Sequence, residues 1–160
     1  MLLIRKIKLK VKSKFKLFLL KVFESNVTIG KNVTIRNRFS PNVNGGKLSI
    51  GNNVFFNNDC SINCRGKIMI DDHCLFGENV KMYDHNHVYA DRETPISKQG
   101  MRVGEIRIGR NCWIGSNTVI LANVEIGDNV VIGANCLIYK SIPSNSVVKN
   151  KTELIIQNRN

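Results

Sequence analysis

The sequence predicts an all-β solenoid, a rod built from one short structural unit that is used repeatedly. An isoleucine recurs at every sixth position in one uninterrupted run, at Ile108, Ile114, Ile120, Ile126, Ile132 and Ile138. A second apolar or small residue follows each isoleucine by four positions, at Cys112, Thr118, Val124, Val130, Cys136 and Ile142. Because this period matches neither a single helix nor a simple hairpin, we expect each unit to bury its face against the next.

Corner residues separate the predicted strands. Asparagine stands immediately before the second apolar residue in five of the six units, at Asn111, Asn117, Asn123, Asn129 and Asn135. Glycine and asparagine tolerate the left-handed backbone conformation better than other residues do. Their regular spacing therefore predicts a corner between short strands in each unit.

The same pattern covers most of the chain. It begins at Ile29, is broken by a predicted loop at 41–47, resumes at Ile50, slips by two residues before Ile70 and stops at Met82. The predicted organisation is an N-terminal segment at 1–24, a solenoid domain at 25–148 and a polar C-terminal tail at 149–160.

One long irregular segment, from about Asp84 to Glu105, interrupts the solenoid. The interval from Met82 to Ile108 is longer than three repeat units, and we interpret it as one three-sided coil that carries eight extra residues. Irregular loops on rigid scaffolds commonly hold functional residues. This inserted loop is therefore the first place to look for a site.

Residues 1–24 are basic and apolar, with an apolar stripe at helical spacing. The stripe consists of Ile4, Ile7, Val11, Phe15, Phe18 and Val22. Lysines interrupt every apolar run, which argues against a signal peptide and against a transmembrane span. A short helix could cap the open end of the solenoid or lie on an anionic membrane face, and both roles are compatible. A strand remains an alternative for residues 7–12, where apolar and basic residues alternate.

The formal net charge of +12 indicates anionic partners, such as phosphates, acidic glycans or a membrane surface. Nucleic acid is disfavoured, because the chain has no helix-turn-helix, zinc-finger or aromatic ribonucleoprotein pattern. An odd number of cysteines without a C-x-x-C pair favours a reducing compartment. We expect a cytoplasmic protein, peripheral at the inner face of the cell membrane if residues 1–24 bind lipid. Four cysteines, Cys60, Cys74, Cys112 and Cys136, occupy the inward position of the repeat, where core packing is expected.

With these motifs in hand, the chain resembles the hexapeptide-repeat acyltransferases, especially the galactoside, maltose and capsular-polysaccharide O-acetyltransferases. The resemblance covers about residues 27–148. It is carried by the isoleucine-led units, by Ile-Gly-Arg-Asn-Cys-Trp-Ile-Gly-Ser at 108–116, Tyr-Asp-His-Asn-His at 83–87, Lys-Gln-Gly at 98–100 and Tyr-Lys-Ser-Ile-Pro-Ser-Asn at 139–145. It implies a left-handed parallel β-helix, homotrimers with active sites between neighbours, and acetyl-CoA as donor. We expect no metal.

Histidine is the expected base for acetyl transfer to a sugar hydroxyl, because a protonated alcohol is a poor nucleophile and histidine titrates near neutral pH. An ungapped alignment from Ile50 onward brings His87 onto the catalytic histidine of the family, and His85 is the second candidate. Asp84, or His85 itself, would orient that ring or contact the acceptor. His73 lies in a repeat at a corner and is expected to be a solvated surface residue.

The resemblance also implies further site residues. Ser116 corresponds to a serine on the thioester side, where nearby backbone N–H groups could stabilise the oxyanion. Trp113 is expected to point outward, either toward a neighbouring subunit or toward substrate. Asn57 aligns with an acceptor-contacting asparagine, although most asparagines of the repeats are corner residues. Ala134, Tyr139 and Lys140 fall on donor-contact positions, with Lys140 able to meet a phosphate.

The chain departs from the family pattern at two places. Asn150-Lys-Thr-Glu-Leu stands where the family commonly has Gly-x-Pro followed by basic residues, which leaves Lys149 and Lys151 as substitutes for the CoA contacts. Arg65 replaces an acidic sugar-contact residue of the galactoside and maltose enzymes. A positive charge at that position favours an acidic sugar or a lipid-phosphate-linked glycan as the acceptor.

The predicted function is transfer of acetyl from acetyl-CoA to a hydroxyl of a sugar in surface polysaccharide or its precursor. N-acetylation of an amino sugar is an alternative, since the same base and donor serve both. A non-catalytic β-helix scaffold is another, and it predicts no acetyl-CoA binding. A γ-type carbonic anhydrase would need three zinc-binding histidines, and the spacing of His73, His85 and His87 does not match that family.

Overall fold

A computed structural model describes residues 13–20, 22 and 25–151 of the 160-residue chain. Residues 13–20 and residue 22 are helical, and a 3₁₀ turn spans Ile96–Lys98. The strands are β1 (Val27–Ile29), β2 (Thr34–Ile35), β3 (Ser40–Val43), β4 (Lys47–Ile50), β5 (Phe55–Phe56), β6 (Ser61–Cys64), β7 (Lys67–Ile70), β8 (Leu75–Phe76), β9 (Lys81–Tyr83), β10 (His85–His87), β11 (Met101–Val103), β12 (Glu105–Ile108), β13 (Trp113–Ile114), β14 (Val119–Ile120), β15 (Val124–Ile126), β16 (Val131–Ile132), β17 (Leu137–Ile138) and β18 (Val147–Val148).

Three parallel sheets form the sides of the rod. Sheet 1 has the order β1-β4-β7-β12-β15, sheet 2 the order β2-β5-β8-β13-β16-β18, and sheet 3 the order β3-β6-β9-β14-β17. Consecutive strands pass to successive sheets, so three strands complete one coil and adjacent coils pair in register. The predicted left-handed parallel β-helix, with a short helix and one inserted loop, is confirmed.

The core contains the residues that the repeat period selects. Every isoleucine of the run at 108–138 is buried, as are Cys112, Thr118, Val124, Val130 and Cys136. Phe56 stacks on Phe76 with ring centroids 4.6 Å apart and lies 4.9 Å from Phe39. All five cysteines are free and buried, which confirms the predicted packing role and extends it to Cys64.

The predicted corners are also present, and asparagine accounts for most of them. Positive φ angles occur at Asn32, Asn53, Asn79, Asn111, Asn117, Asn123, Asn129, Asn135 and Asn145, and also at Arg38, Asp59 and His73. The amide of Asn111 donates to Asn129 Oδ1 at 2.9 Å, and that of Asn117 to Asn135 Oδ1 at 3.1 Å. These side chains therefore connect adjacent coils along the edges of the rod.

The structure corrects the predicted boundary of the first loop. The loop expected at 41–47 begins too early, because Pro41 lies within β3 and is in register with Ile62. Proline is tolerated there because β3 is the edge strand of sheet 3.

The structure also corrects the interpretation of the inserted loop. The interval from Met82 to Ile108 is not a full coil with eight extra residues, because β9 and β12 lie on successive sides of the rod. Ile108 pairs with Ile70 on one side and with Ile126 on the other. The chain from Ile70 to Ile108 is about twice as long as the chain from Ile108 to Ile126, which is one regular coil. The insertion is therefore slightly longer than a regular coil.

The N-terminal helical residues pack on the first coil, but not through the predicted stripe. Leu17 is buried, Ser13 Oγ accepts a hydrogen bond from the Ile35 N–H at 2.9 Å, and Lys16 Nζ donates to the Phe39 carbonyl. In contrast, Phe15, Phe18 and Val22 of the stripe are 63%, 60% and 57% exposed. The positions of the stripe before residue 13 lie outside the described residues. No described helix is both long and apolar enough to cross a membrane.

Candidate active site

The insertion is a β-hairpin that leaves and rejoins the rod at one edge. β10 and β11 pair antiparallel, with His85 opposite Val103 and His87 opposite Met101. The two ends are closed by a hydrogen bond of 2.7 Å from the Gly104 N–H to the Asp84 carbonyl. The hairpin therefore projects from the corner between sheets 3 and 1, which we call the hairpin edge.

Asp84 anchors the base of the hairpin. Its side chain has no exposed surface, and its carboxylate accepts hydrogen bonds from the Arg65 N–H at 2.9 Å and the Gly66 N–H at 2.8 Å. It also pairs with His85 Nδ1 at 2.9 Å. A buried carboxylate is tolerated because these partners replace its hydration. Burial, together with the nearby Asp84 charge, raises the pKa of the Cys64 thiol to about 12.

This anchor has consequences for two predicted roles. An ionised carboxylate only accepts hydrogen bonds, so Nδ1 of His85 carries the proton and Nε2 is the nitrogen that remains available. Asp84 was expected to orient a histidine or contact the acceptor. A carboxylate without exposed surface is closed to an acceptor, so the prediction of Asp84 as a substrate contact is not supported and orientation is what its geometry allows.

A cleft of about 720 Å³ opens on the hairpin. Its wall includes His87, Asn86, Tyr89, Ile96 and Arg102, whereas His85 is not part of the lining. His87 is exposed and His85 is partly buried. Of the two candidate bases, His87 is thus the one that borders a space in which a small molecule fits.

Gln99 closes the far end of the hairpin. Its Nε2 donates to the Asp91 carbonyl at 2.6 Å and to the Thr94 carbonyl at 2.7 Å, and its Oε1 accepts from the Asp91 N–H at 3.1 Å. Gly100 follows with a φ of +81°, a conformation that side chains rarely adopt. The Lys-Gln-Gly motif at 98–100 therefore fixes the shape of the segment that borders the cleft.

A second group of predicted residues lies at a different corner, between sheets 2 and 3, which we call the serine edge. Ser116 follows β13, and Ala134 occupies the same place one coil further on, where the Asn135 N–H donates to the Ser116 carbonyl at 2.8 Å. Ser116 Oγ accepts a hydrogen bond from the Glu78 N–H at 3.1 Å. Asn57 follows β5 at the same corner, two coils before Ser116.

The other predicted residues are distributed between the hairpin edge and sheet 2. Tyr139 and Lys140 follow β17 at the corner from which the hairpin leaves, and Lys140 Nζ lies 5.5 Å from the centroid of the Tyr139 ring. Arg65 shares this edge through its hydrogen bond to Asp84. Trp113 points outward from sheet 2, as expected, and is 56% exposed.

Apart from Trp113 on sheet 2, the predicted site residues therefore occupy two edges of one chain. The hairpin edge holds Arg65, Asp84, His85, His87, Tyr139 and Lys140, and the serine edge holds Asn57, Ser116 and Ala134. Sheet 3 separates these edges. One chain alone does not bring His87 and Ser116 together.

Sequence reasoning did not identify Tyr89 and Arg102 as cleft residues. No repeat covers them, and only recognition of a two-stranded ribbon would have aligned Arg102 with Asn86. Among the residues that the structure describes, no three His, Cys, Asp or Glu side chains group as metal ligands.

Comparison with known proteins identifies the family. The family described as bacterial transferase hexapeptide (six repeats) matches residues 105–140. A solved maltose O-acetyltransferase from Clostridium difficile 630 is 30% identical, with a TM-score of 0.61 over 79% of this chain and 67% of that chain. The chain belongs to the hexapeptide-repeat transferase family. The prediction from the resemblance that the chain is an acyltransferase is confirmed.

Two other similar proteins are informative. The putative colanic acid biosynthesis acetyltransferase WcaF of Escherichia coli K12 is 28% identical over 149 residues, which cover 91% of this chain and 76% of WcaF. A galactoside acetyltransferase solved in complex with coenzyme A is 33% identical, with a TM-score of 0.64. That match covers 76% of this chain but 59%, less than two thirds, of the galactoside acetyltransferase.

Proposed function

We propose that the chain is an acetyl-CoA-dependent O-acetyltransferase that acts on a sugar hydroxyl of a surface polysaccharide or its precursor. The observation that carries the proposal is His87 on the wall of an open cleft, in a hairpin anchored to a rigid rod. The names of the relatives support it, since they include a putative colanic acid biosynthesis acetyltransferase, a galactoside acetyltransferase and a maltose O-acetyltransferase.

In the proposed reaction, His87 removes the proton of the acceptor hydroxyl. The hydroxyl oxygen then attacks the carbonyl carbon of the thioester, a C–O bond forms and the C–S bond breaks. The imidazolium of His87 returns the proton to the departing CoA thiolate. A positioned base of this kind contributes about 10²- to 10⁴-fold to the rate.

His85 has a supporting role in this proposal. Its pairing with Asp84 fixes the start of β10, two residues before His87, and alternate residues of a strand face the same side. His85 and His87 therefore lie on the same face of β10, and we propose that the anchored His85 positions the strand segment that carries His87. A carboxylate partner can also orient a histidine that acts as the base, so Asp84 could equally support His85 in that role. The experiment must therefore separate the two histidines.

We further propose that the active enzyme is a homotrimer with each site between two chains. The hairpin edge of one chain would supply His87, and the serine edge of its neighbour would supply Ser116 and Ala134. An exposed apolar row on sheet 2 supports association, since Leu75, Trp113 and Val147 are 50%, 56% and 63% exposed. Such a row is unusual on a monomer and suits a closed ring of identical chains.

The remaining predicted residues divide between donor and acceptor. Tyr139 and Lys140 are proposed to contact CoA, where the ammonium group of Lys140 meets a phosphate. Asn57 and Arg65 are proposed acceptor contacts. Trp113 is proposed to serve the subunit interface or the acceptor.

The test of the base is acetyl-CoA turnover against a panel of sugars and oligosaccharides, with His87→Ala beside His85→Ala. We expect His87→Ala to lose about 10²- to 10⁴-fold in kcat while CoA binding by calorimetry is retained. Full activity of His87→Ala, with loss in His85→Ala, would transfer the role to His85. An amino sugar in the panel distinguishes N- from O-acetylation, and absence of CoA binding would favour a scaffold.

Subunit complementation tests the shared site. Ala134→Trp should block the serine edge, and His87→Ala removes the base, so each homotrimer is inactive. Random mixing should restore about a quarter of wild-type activity, because one site in four combines two intact edges. Mixtures that stay inactive, although mass spectrometry shows mixed trimers, would contradict a site between chains.

A peripheral membrane contact through residues 1–24 is also proposed. The support within the described residues is that Phe15, Phe18 and Val22 face away from the rod. Flotation with anionic liposomes should show binding that weakens in Phe15→Ser/Phe18→Ser and at high salt. No binding at low salt would restrict the helix to packing on the first coil.

A further inference from the structure

We infer that the acceptor carries an anionic group, a carboxylate or a phosphate, and that Arg102 is the residue that selects it. The inference rests on the proposed acetyl transfer and names the chemical class of the acceptor. It concerns the wall of the hairpin cleft, which includes none of the residues proposed to contact the donor.

The lining of the cleft is electrostatically one-sided. It consists of Asn86, His87, Val88, Tyr89, Ala90, Ile96 and Arg102, with no carboxylate among them. The guanidinium of Arg102 is the permanent charge of this wall, because arginine stays protonated at all relevant pH values. A ligand that fills the cleft therefore meets one positive group and no negative one.

Arg102 differs from the arginines that hold the rod together. Ion pairs join Arg38 to Asp59, Arg107 to Glu125 and Arg110 to Asp128, each between adjacent coils. Within residues 25–151, Arg102 has no carboxylate partner within 4.0 Å. Its charge is thus not used to connect the coils, and it stays available to a ligand.

The strand register adds a second polar group beside this charge. Asn86 and Arg102 are directly opposite in the hairpin, so their side chains lie on the same face of the ribbon. A planar guanidinium binds a carboxylate or a phosphate through two parallel hydrogen bonds, and an amide can donate a further one. The pair therefore suits an anionic group with several acceptor oxygens.

The rest of the wall suits a saccharide ring. Tyr89 and Ile96 are exposed apolar side chains that border the same cleft. An aromatic ring offers a flat, apolar surface with a polar tip. His87 alternates with Asn86 along β10 and borders the same cleft, so a sugar that spans the cleft could be held by Arg102 at its anionic group and present a hydroxyl to the base.

The test compares matched acceptors in the full-length protein. The probes are methyl glucoside, methyl glucuronoside and glucose 1-phosphate, each used as acceptor with acetyl-CoA. We expect the wild type to prefer an anionic probe over the neutral one by at least about tenfold in kcat/KM. Whether the carboxylate or the phosphate probe is preferred identifies the source of the anion.

Arg102→Gln is the informative variant, and Arg92→Gln is its control, since Arg92 belongs to the same hairpin but not to the cleft wall. We expect Arg102→Gln to raise KM for the anionic probe about 10- to 100-fold and to leave KM for the neutral probe unchanged. Arg92→Gln should keep the preference. Equal use of neutral and anionic probes by the wild type, or a preference that survives in Arg102→Gln, would overturn the inference.

CoA itself carries phosphates, so donor binding must be measured in parallel. If Arg102→Gln weakens CoA binding by calorimetry and leaves the acceptor preference intact, Arg102 belongs to the donor site and the inference fails. If the wild type does not bind CoA in calorimetry and does not release CoA from acetyl-CoA with any acceptor, the proposed acetyl transfer is wrong instead. Binding of the three probes by ligand-observed NMR then still decides whether the cleft selects an anion.

Discussion

The coils and the hairpin are held in shape by different interactions. Along the rod, each coil repeats the same inward positions, and the isoleucines of the 108–138 run are buried. Between residues 85 and 105 no residue is buried. The hairpin instead depends on the pairing of β10 with β11 and on side-chain hydrogen bonds at Asp84 and Gln99.

This difference separates stability from specificity. Apolar burial supplies most of the favourable free energy of folding, so the coils can be stable whatever the hairpin contains. A hairpin without a buried side chain can change its cleft residues at little cost to the rod. The molecule therefore keeps its base and its acceptor wall where packing does not dictate the residue.

The largest expected effect on stability comes from the core of the coils. Phe56→Ala removes a fully buried ring that contacts two other phenylalanines, and should cost about 3–5 kcal/mol in the free energy of unfolding. Phe55→Ala, one residue earlier and outward, is the matched control and should cost about 1 kcal/mol or less. Urea denaturation followed by circular dichroism measures both, and equal losses would contradict the inward assignment of Phe56.

Asp84 tests whether the hairpin depends on the rod, because it is the buried residue to which the hairpin is attached. Asp84→Asn keeps the shape of the side chain but removes its negative charge. That charge accepts hydrogen bonds from the Arg65 and Gly66 N–H groups and pairs with His85. We expect the free energy of unfolding to fall by about 1–3 kcal/mol, with loss of acetyl transfer.

Asp91→Asn makes the same chemical change at an exposed carboxylate of the hairpin, which accepts a hydrogen bond from the Glu93 N–H at 2.9 Å. Its effect on stability should stay within about 0.5 kcal/mol. If both variants unfold at the same urea concentration as the wild type, Asp84 does not anchor the hairpin.

Gln99 tests the opposite end, where only local order is at stake. Gln99→Ala removes the hydrogen bonds to Asp91 and Thr94, so amide exchange in residues 91–99 should accelerate about tenfold or more. Global stability should change little, because no buried apolar contact is lost. Lys98→Ala, the neighbouring substitution, is the control and should leave amide exchange unchanged. If amide exchange in Gln99→Ala is as slow as in the wild type, Gln99 does not have this role.

The periodicity predicted the coils because burial repeats with the coil. Ile108 of one coil meets Ile126 of the next, so the pattern reports the contact directly. The same reasoning located the histidines, since His85 and His87 follow the last regular unit before the insertion. The break in the repeat at 41–47, which includes Pro41 and Gly45-Gly46, predicts a loop there. Only the position of β3 at the edge of its sheet explains why Pro41 lies in a strand.

The cleft wall could not be predicted in this way. Arg102 and Tyr89 come together through a hairpin whose register depends on Asp84 and Gln99, and hydrogen bonds of that kind leave no period in the sequence. The separation of Ser116 from His87 could not be predicted either. It depends on which side of the rod each residue occupies, and the inserted hairpin obscures that count in the sequence.

The smallest expected effect compares Asp84 with Asp72, a carboxylate at a corner of the rod. The Asn52 N–H donates to Asp72 Oδ1 at 2.6 Å, and the Asn52 amide donates a further hydrogen bond. These bonds, the backbone one first, lower the pKa of Asp72 below its ordinary value. A lowered pKa in the folded state stabilises the fold above the unfolded-state pKa of about 3.9, and the contribution is lost as the pH falls through the folded-state pKa.

Asp72→Asn should therefore be less stable than the wild type near pH 7, and the difference should vanish as the pH is lowered below about 4. Asp71→Asn, next to it, controls for net charge and should show no such convergence in urea titrations across this range. A difference between wild type and Asp72→Asn that stays constant with pH would show that the carboxylate charge adds nothing at this corner, and that anchoring by a charged group is confined to Asp84.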